Sequence, residues 1–188
     1  MVMVGCGAMA DRLILDVREQ VDNWNGLLRA LDFIKENDVY VGIQDDSKNE
    51  RENEDGTKNN DVSNAELLYI HTNGSQKQNI PARPVIEPAI RKDSERLHKM
   101  MEKAADYAFK GNTSEAINQL KRVGIRGQKV SRDYFYDENN GWPEDKPETI
   151  RRKSKGKPKG YIPRTLIDTS QLKNAITYFV KTKGGRIK

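Results

Sequence analysis

Thiol and imidazole are scarce in this chain. One cysteine and two histidines in 188 residues exclude a disulfide framework and leave too few ligands for a four-coordinate zinc site. Cys6 reads most simply as a free thiol in a reducing compartment. Long apolar runs are missing as well, and none approaches the ~18 residues that a membrane span needs. The opening Met1-Val2-Met3-Val4-Gly5-Cys6-Gly7 has a faint likeness to a lipoprotein cleavage site. It has no basic leader, however, and falls short of the ~7–15 apolar residues of a signal peptide. The expectation is a soluble intracellular product without membrane contact.

Apolar residues are few overall. Hydrophobic content is 35%, aromatic content 7% and charged content 32%, with a mean hydropathy of -0.87. That is a thin core for the length. Because the apolar residues cluster periodically, disorder of the whole chain is not expected. One domain with long loops that find burial against other chains fits the composition, so a subunit of an assembly is expected.

Catalytic constellations are also lacking. Ser170 and Thr169 stand beside Asp168 without a histidine nearby in sequence to act as base. Lys153-Ser154-Lys155-Gly156-Lys157 has lysines where a phosphate-cradling loop needs glycines and a following helix. Asp45-Asp46-Ser47-Lys48-Asn49-Glu50 lacks the sixth-position glycine of a calcium loop. His71 has no nucleophile or acid partner near it in sequence and is expected to be structural. The expectation is a protein that is not an enzyme, with no cofactor and no metal.

What the chain does have is charge, unevenly placed. The net charge is +5. Asp45 to Asp61 is an acidic stretch read as a structureless surface loop. From Lys146 to Arg164 the bases are Lys146, Arg151, Arg152, Lys153, Lys155, Lys157, Lys159 and Arg164, with Glu148 the one acid that opposes them. This basic loop, exposed and mobile around Lys153–Gly160, can offer salt-sensitive, sequence-blind attraction to phosphates or dock onto an acidic partner. Partner docking is preferred, because aromatic interleaving is limited to Tyr161.

The pattern of elements predicts an α+β fold. A small, mostly antiparallel sheet is expected from Leu13–Val17, Val39–Ile43 and Ile176–Val180, covered by two long antiparallel helices. For the first of these strands a helix competes, with Ile14, Val17, Val21, Trp24, Leu28 and Leu31 on one face. The strand is preferred, followed by a helix capped near Asp22 or Asn23 whose stripe is Leu27, Leu28, Leu31 and Ile34. A short helix from Ser63 or Asn64 through His71 ends at Asn73-Gly74. Ile80 to Pro88 carries three prolines and reads as extended. The long helices run from Lys92 to Lys110 and from Asn112, capped toward Glu115, to about Tyr134. Gly124 and Gly127 in the second call for a close approach by the preceding helix or by a neighbouring subunit.

The C-terminal run Ile162 to Val180 organises the rest. Asp168 or Thr169 reads as the N-cap of a short helix through Leu172 to Ala175. A strand then follows over Ile176-Thr177-Tyr178-Phe179-Val180, ended by Gly184-Gly185. The run Leu166-Ile167-Asp168-Thr169-Ser170-Gln171-Leu172 through Val180 resembles the "L-I-D-T-G-x-L-x-x-S-I-x-Y-x-V" ending of tailed-bacteriophage neck proteins, the tail-completion or head–tail joining family. Ser170 stands where that family usually has glycine. Three further stretches match in order: Val39–Ile43; Asn64–His71 through Gly74, followed by Ile80-Pro81-Ala82-Arg83-Pro84; and Pro147–Lys153, similar to a "P-x-T-I-x-R-K" segment.

The resemblance implies a single structural domain that forms a homo-oligomeric ring, a hexamer, in the virion neck. Its partners would be the head connector or stopper protein, the tail terminator or tail tube, and packaged double-stranded DNA in the lumen. The chain would be made in the host bacterial cytoplasm. Pro81, Arg83, Pro84, Arg151, Arg152, Lys153 and Lys155 are the candidates for subunit or DNA contacts. A small basic, non-specific DNA-binding module is the alternative from another class, and a tail terminator the nearer one.

Overall fold

The computed structural model describes residues 7–44, 51–52, 58–59 and 62–187, with side chains described for 21–44 and 62–187. Cys6 and most of the acidic stretch, including Asp45, Asp46, Glu50, Glu54, Asp55 and Asp61, lie outside the described residues. Within that stretch Arg51–Glu52 (β2) pairs antiparallel with Lys58–Asn59 (β3), so part of the expected loop is a hairpin ladder.

The N-terminal expectation is corrected. No strand forms at Leu13–Val17; a single helix, α1, runs from Gly7 to Glu36. Asn23, Asn25 and Gly26 do not interrupt it, and Gly26 shows why. A Cβ there would lie 2.9 Å from the Phe109 ring, so the glycine admits a neighbouring helix. The face of α1 turned to the core is Gly26, Ala30 and Phe33. The expected stripe of Leu27, Leu28, Leu31 and Ile34 is exposed. Asn37 Nδ2 donates to Phe33 O at the end of the helix, and the chain turns into β1 (Asp38–Gly42).

α2 (Asn64–Asn73) starts on a reciprocal cap, with Ser63 Oγ accepting from Glu66 N and the Glu66 carboxylate accepting from Ser63 N. It stops at Gly74, whose φ of 73° suits a residue without a side chain. The proline segment carries no regular element only as far as Val85, whose backbone already turns helical. α3 (Ile86–Lys92) begins inside it, with Pro88 in the first turn, where an N–H would have no helical acceptor. Asp93 separates α3 from α4 (Ser94–Phe109). A turn over Lys110–Asn112 reverses the chain into α5 (Thr113–Asp133), whose cap Asn112 accepts from Glu115 N. These are the two long antiparallel helices.

After a 3-10 turn at Tyr134–Tyr136, α6 (Pro147–Ser154) occupies the first half of the expected basic loop, with proline at its first position. α7 (Gln171–Ala175) leads into β4 (Thr177–Thr182), and β5 (Gly185–Ile187) returns beside it. The Gly184-Gly185 pair therefore opens a hairpin rather than ending the sheet. The sheet is antiparallel in the order β1-β4-β5.

Alternation along β4 buries Tyr178 and Val180 against the helices. On the other face, Tyr40 and Phe179 stack at 4.9 Å. The main core joins Ala30 and Phe33 to Ala104, Ala108, Ala116, Leu120, Tyr178 and Val180. Alanine dominates it because the helices approach closely. Gly124 and Gly127 serve neither of the two surfaces expected for them. Their missing Cβ atoms would meet Tyr178 of β4 and Val41 of β1, with Ile90 of α3 at 3.3 Å from the second, so the closest approach is to the sheet. No described helix is long and apolar enough to cross a membrane.

Candidate functional site

A second apolar cluster, built on Leu68, Val85, Phe135, Leu172 and Ile176, meets the main core through Val41 and gathers the remaining segments. Trp142 meets Tyr134 and Phe135 edge-on, and its Nε1 donates to Pro84 O at 2.9 Å. Arg83 N donates to His71 O, tying the extended segment to the end of α2. The guanidinium of Arg83 turns the other way, with Nε and Nη2 donating to Pro143 O and Nη2 to Glu144 O. The Pro81–Val85 segment is thus held between α2 and residues 142–145.

Against this frame sits a cleft of about 580 Å³, lined among others by Pro81, Arg83, Arg152, Lys153, Asp168 and Ser170. At its base the Asp145 carboxylate lies between Arg83 Nη2 (3.3 Å) and Lys153 Nζ (2.8 Å). All three side chains are under a tenth exposed. Lys153 Nζ also donates to Arg164 O. Two buried cations on one buried carboxylate is a costly arrangement unless carbonyl dipoles complete it. Here Pro143 O, Glu144 O and Arg164 O do so.

α7 is drawn into the same place from the α5 side. Arg132 donates to Asn174 O and Ile176 O, and Gln128 to Ile176 O, which satisfies carbonyls at the C-terminal end of α7. Its N-terminal end differs from expectation. Neither Asp168 nor Thr169 caps the helix. Ser170 takes the cap position with a left-handed backbone, φ 64° and ψ 4°, and makes no side-chain cap bond. Asp168 instead pairs with Arg152 at 3.2 Å across the cleft mouth, both side chains well exposed.

Backbone strain concentrates in the cleft. Among the described residues, the non-glycine positions with positive φ are Asn79, Leu166 and Ser170, and all three line it. Such conformations cost roughly 1–3 kcal/mol each and persist where surrounding structure holds them.

The candidate residues divide into two groups. Arg83 and Lys153 are buried and engaged within the chain, while Pro81 and Pro84 are half-buried. Arg151, Arg152 and Lys155 are exposed on α6 and its end, with Arg152 at the cleft mouth. The exposed stretch continues through Gly156 to Ile162. At its far end Tyr136 receives Arg164 at 5.3 Å and Lys173 at 4.9 Å from its ring centre.

Sequence reasoning misses Asp145. Its partner Arg83 is sixty-two residues away and nothing local marks the pair. His71, expected to be structural, lines the cleft wall from α2.

No protein-family model, curated protein or solved structure matches the chain. The cleft has to be read from its own residues.

Proposed function

We propose that the chain is a structural virion protein of a tailed bacteriophage, forming a ring in the neck that joins the head connector to the tail. The observation that carries this reading is the convergence of the resembling segments other than Val39–Ile43, which lies in the sheet. Asn64–Gly74, Ile80–Pro84, Pro147–Lys153 and Leu166–Leu172 are spread over a hundred residues. Leu67, His71, Ile80, Pro81, Arg83, Thr149, Lys153 and Ser170, drawn from all four, line one cleft. Residues shared for a common architecture are expected to meet in this way.

A second support is Ser170. The position at which the neck proteins usually carry glycine has a backbone that glycine adopts without cost. In the ring, Arg151, Arg152 and Lys155 would face a neighbouring subunit or the DNA, and Arg83 and Lys153 would hold the shape of the surface. The function is mechanical, with no reacting group assigned.

Fractionation tests this reading. The chain should co-purify with intact tailed particles at a fixed copy number through a density gradient and remain with them at high salt. The DNA-binding alternative makes the opposite demand. A free, particle-independent protein that binds duplex DNA would show a steep salt slope. Replacing Arg151, Arg152 or Lys155 by alanine would then reduce that slope by up to ~0.9 for each phosphate no longer neutralised.

A further inference from the structure

α1 has two apolar faces, and only one is used. Gly26, Ala30 and Phe33 pack inward. On the opposite side Val21, Trp24, Leu28 and Leu31 recur at alternating steps of three and four residues, with Leu27 and Ile34 alongside. All six are large and exposed, from 43% at Leu28 to 61% at Trp24. Between the two faces stand exposed Asp22, Asn25, Arg29 and Asp32, and a continuous apolar stripe bounded by such residues is the part of a helix that normally packs against a neighbour. The three-and-four spacing is the one that keeps a seam facing another helix along its length, and in the sequence it continues back through Val17 and Ile14.

We propose that this face is covered by α1 of a second copy, in an antiparallel, two-fold pair. The flanks of the seam decide both the occupant and the direction. Aligned antiparallel about residue 26, Val21 meets Leu31 of the second copy and Trp24 meets Leu28 of the second copy. On one flank Leu27 then meets its own counterpart. On the other, Asn25 meets its counterpart, and Asp32 falls opposite position 18, an arginine in the sequence. An acidic and a basic position of the sequence thus share this register, and no two like-charged ones do. A parallel pair in register would instead set Asp32 beside Leu27, burying a carboxylate against a leucine.

The stripe is short for an interface, since stable ones bury roughly 800 Å² per partner. It has a compensating advantage: each helix is already held by its own domain, so pairing does not bear the cost of forming it. The pair is therefore concentration-dependent. It is also independent of the ring reading, because a two-fold contact closes at two copies whereas a ring needs head-to-tail contacts.

Sedimentation of the full chain tests the pair. At about 100 µM the wild type should sediment as a dimer of the 21.5 kDa chain and dissociate on dilution. Leu28→Glu should be monomeric throughout with an unchanged circular dichroism spectrum. Asn25→Cys in a Cys6→Ser background should be captured as a dimer by a short bis-maleimide. A wild type that is monomeric at that concentration would overturn the proposal. So would a dimer that survives Leu28→Glu, or one that is not captured through position 25, where a parallel pair places the two cysteines on opposite sides.

Discussion

A Cβ on Gly124 would run into Cδ2 of the Tyr178 ring, so α5 and β4 touch through the absence of a side chain. Nothing flexible lies between them, because Tyr178 is buried and its strand is central in the sheet. Gly124→Ala should therefore destabilise by at least about 1–3 kcal/mol, as overpacked cores do. Gly42→Ala, where nothing lies within 4 Å of the added carbon, should stay within ~0.5 kcal/mol. Urea denaturation of the two variants checks the contrast.

The Arg83–Asp145–Lys153 cluster predicts a second contrast. Asp145→Asn leaves two buried cations without a carboxylate and should cost about 3–5 kcal/mol. Asp168→Asn removes only an exposed pair with Arg152 and should cost under ~1 kcal/mol. Thermal melts of both variants separate a structural cluster from a surface one. Equal losses would contradict the assignment.

Much of this arrangement is legible in the sequence, and the reason for each exception is physical. The Ser63/Glu66 cap, the Gly74 stop and the two long helices announce themselves within a few residues, because caps and stripes are local. α1 is easily misread because Asn23, Asn25 and Gly26 weaken a helix locally, while the force that keeps Gly26 in one is Phe109, eighty-three residues on. β5 escapes notice because a three-residue strand has no period, and the hairpin depends on pairing with β4. The segment Pro147–Ser154 reads as a loop because its lysines and arginines carry no stripe, though a proline in the first turn is compatible with a helix start. Of the proline, arginine and lysine candidates, Pro81, Arg83, Arg152 and Lys153 line the cleft, whereas Pro84, Arg151 and Lys155 do not. Asp145 cannot be anticipated, since an ion pair across sixty-two residues leaves no local trace.

Strain at the cleft predicts a stabilising change. Ser170 holds φ 64° without a cap bond to offset it, and the left-handed conformation costs an ordinary residue roughly 1–2 kcal/mol. Ser170→Gly should raise stability by up to about 1 kcal/mol, the gain being reduced by glycine's extra freedom in the unfolded chain. A calorimetric melt shifted downward would mean that the serine hydroxyl has a role in the native state.

Acid should expose the Asp93–Arg126 pair. Arg126 Nε and Nη2 donate to the two Asp93 oxygens at 2.7 and 2.5 Å. That hydrogen bonding holds the Asp93 carboxyl below its ordinary value, outweighing partial burial, which acts the other way. The folded pKa is thus lower than the unfolded one. The stabilisation is present in full above the ordinary aspartate range, near pH 4, and is lost as pH falls through the lowered value. Arg126→Gln should lower stability at pH 7 and flatten its fall below pH 4. Parallel acid curves for the two proteins would contradict this.

Electron microscopy of particles produced without this chain tests the neck assignment most directly. DNA-filled heads and complete tails should accumulate side by side, unjoined, and supplying the chain should restore joined particles. Normally joined, infectious particles in its absence would contradict the assignment.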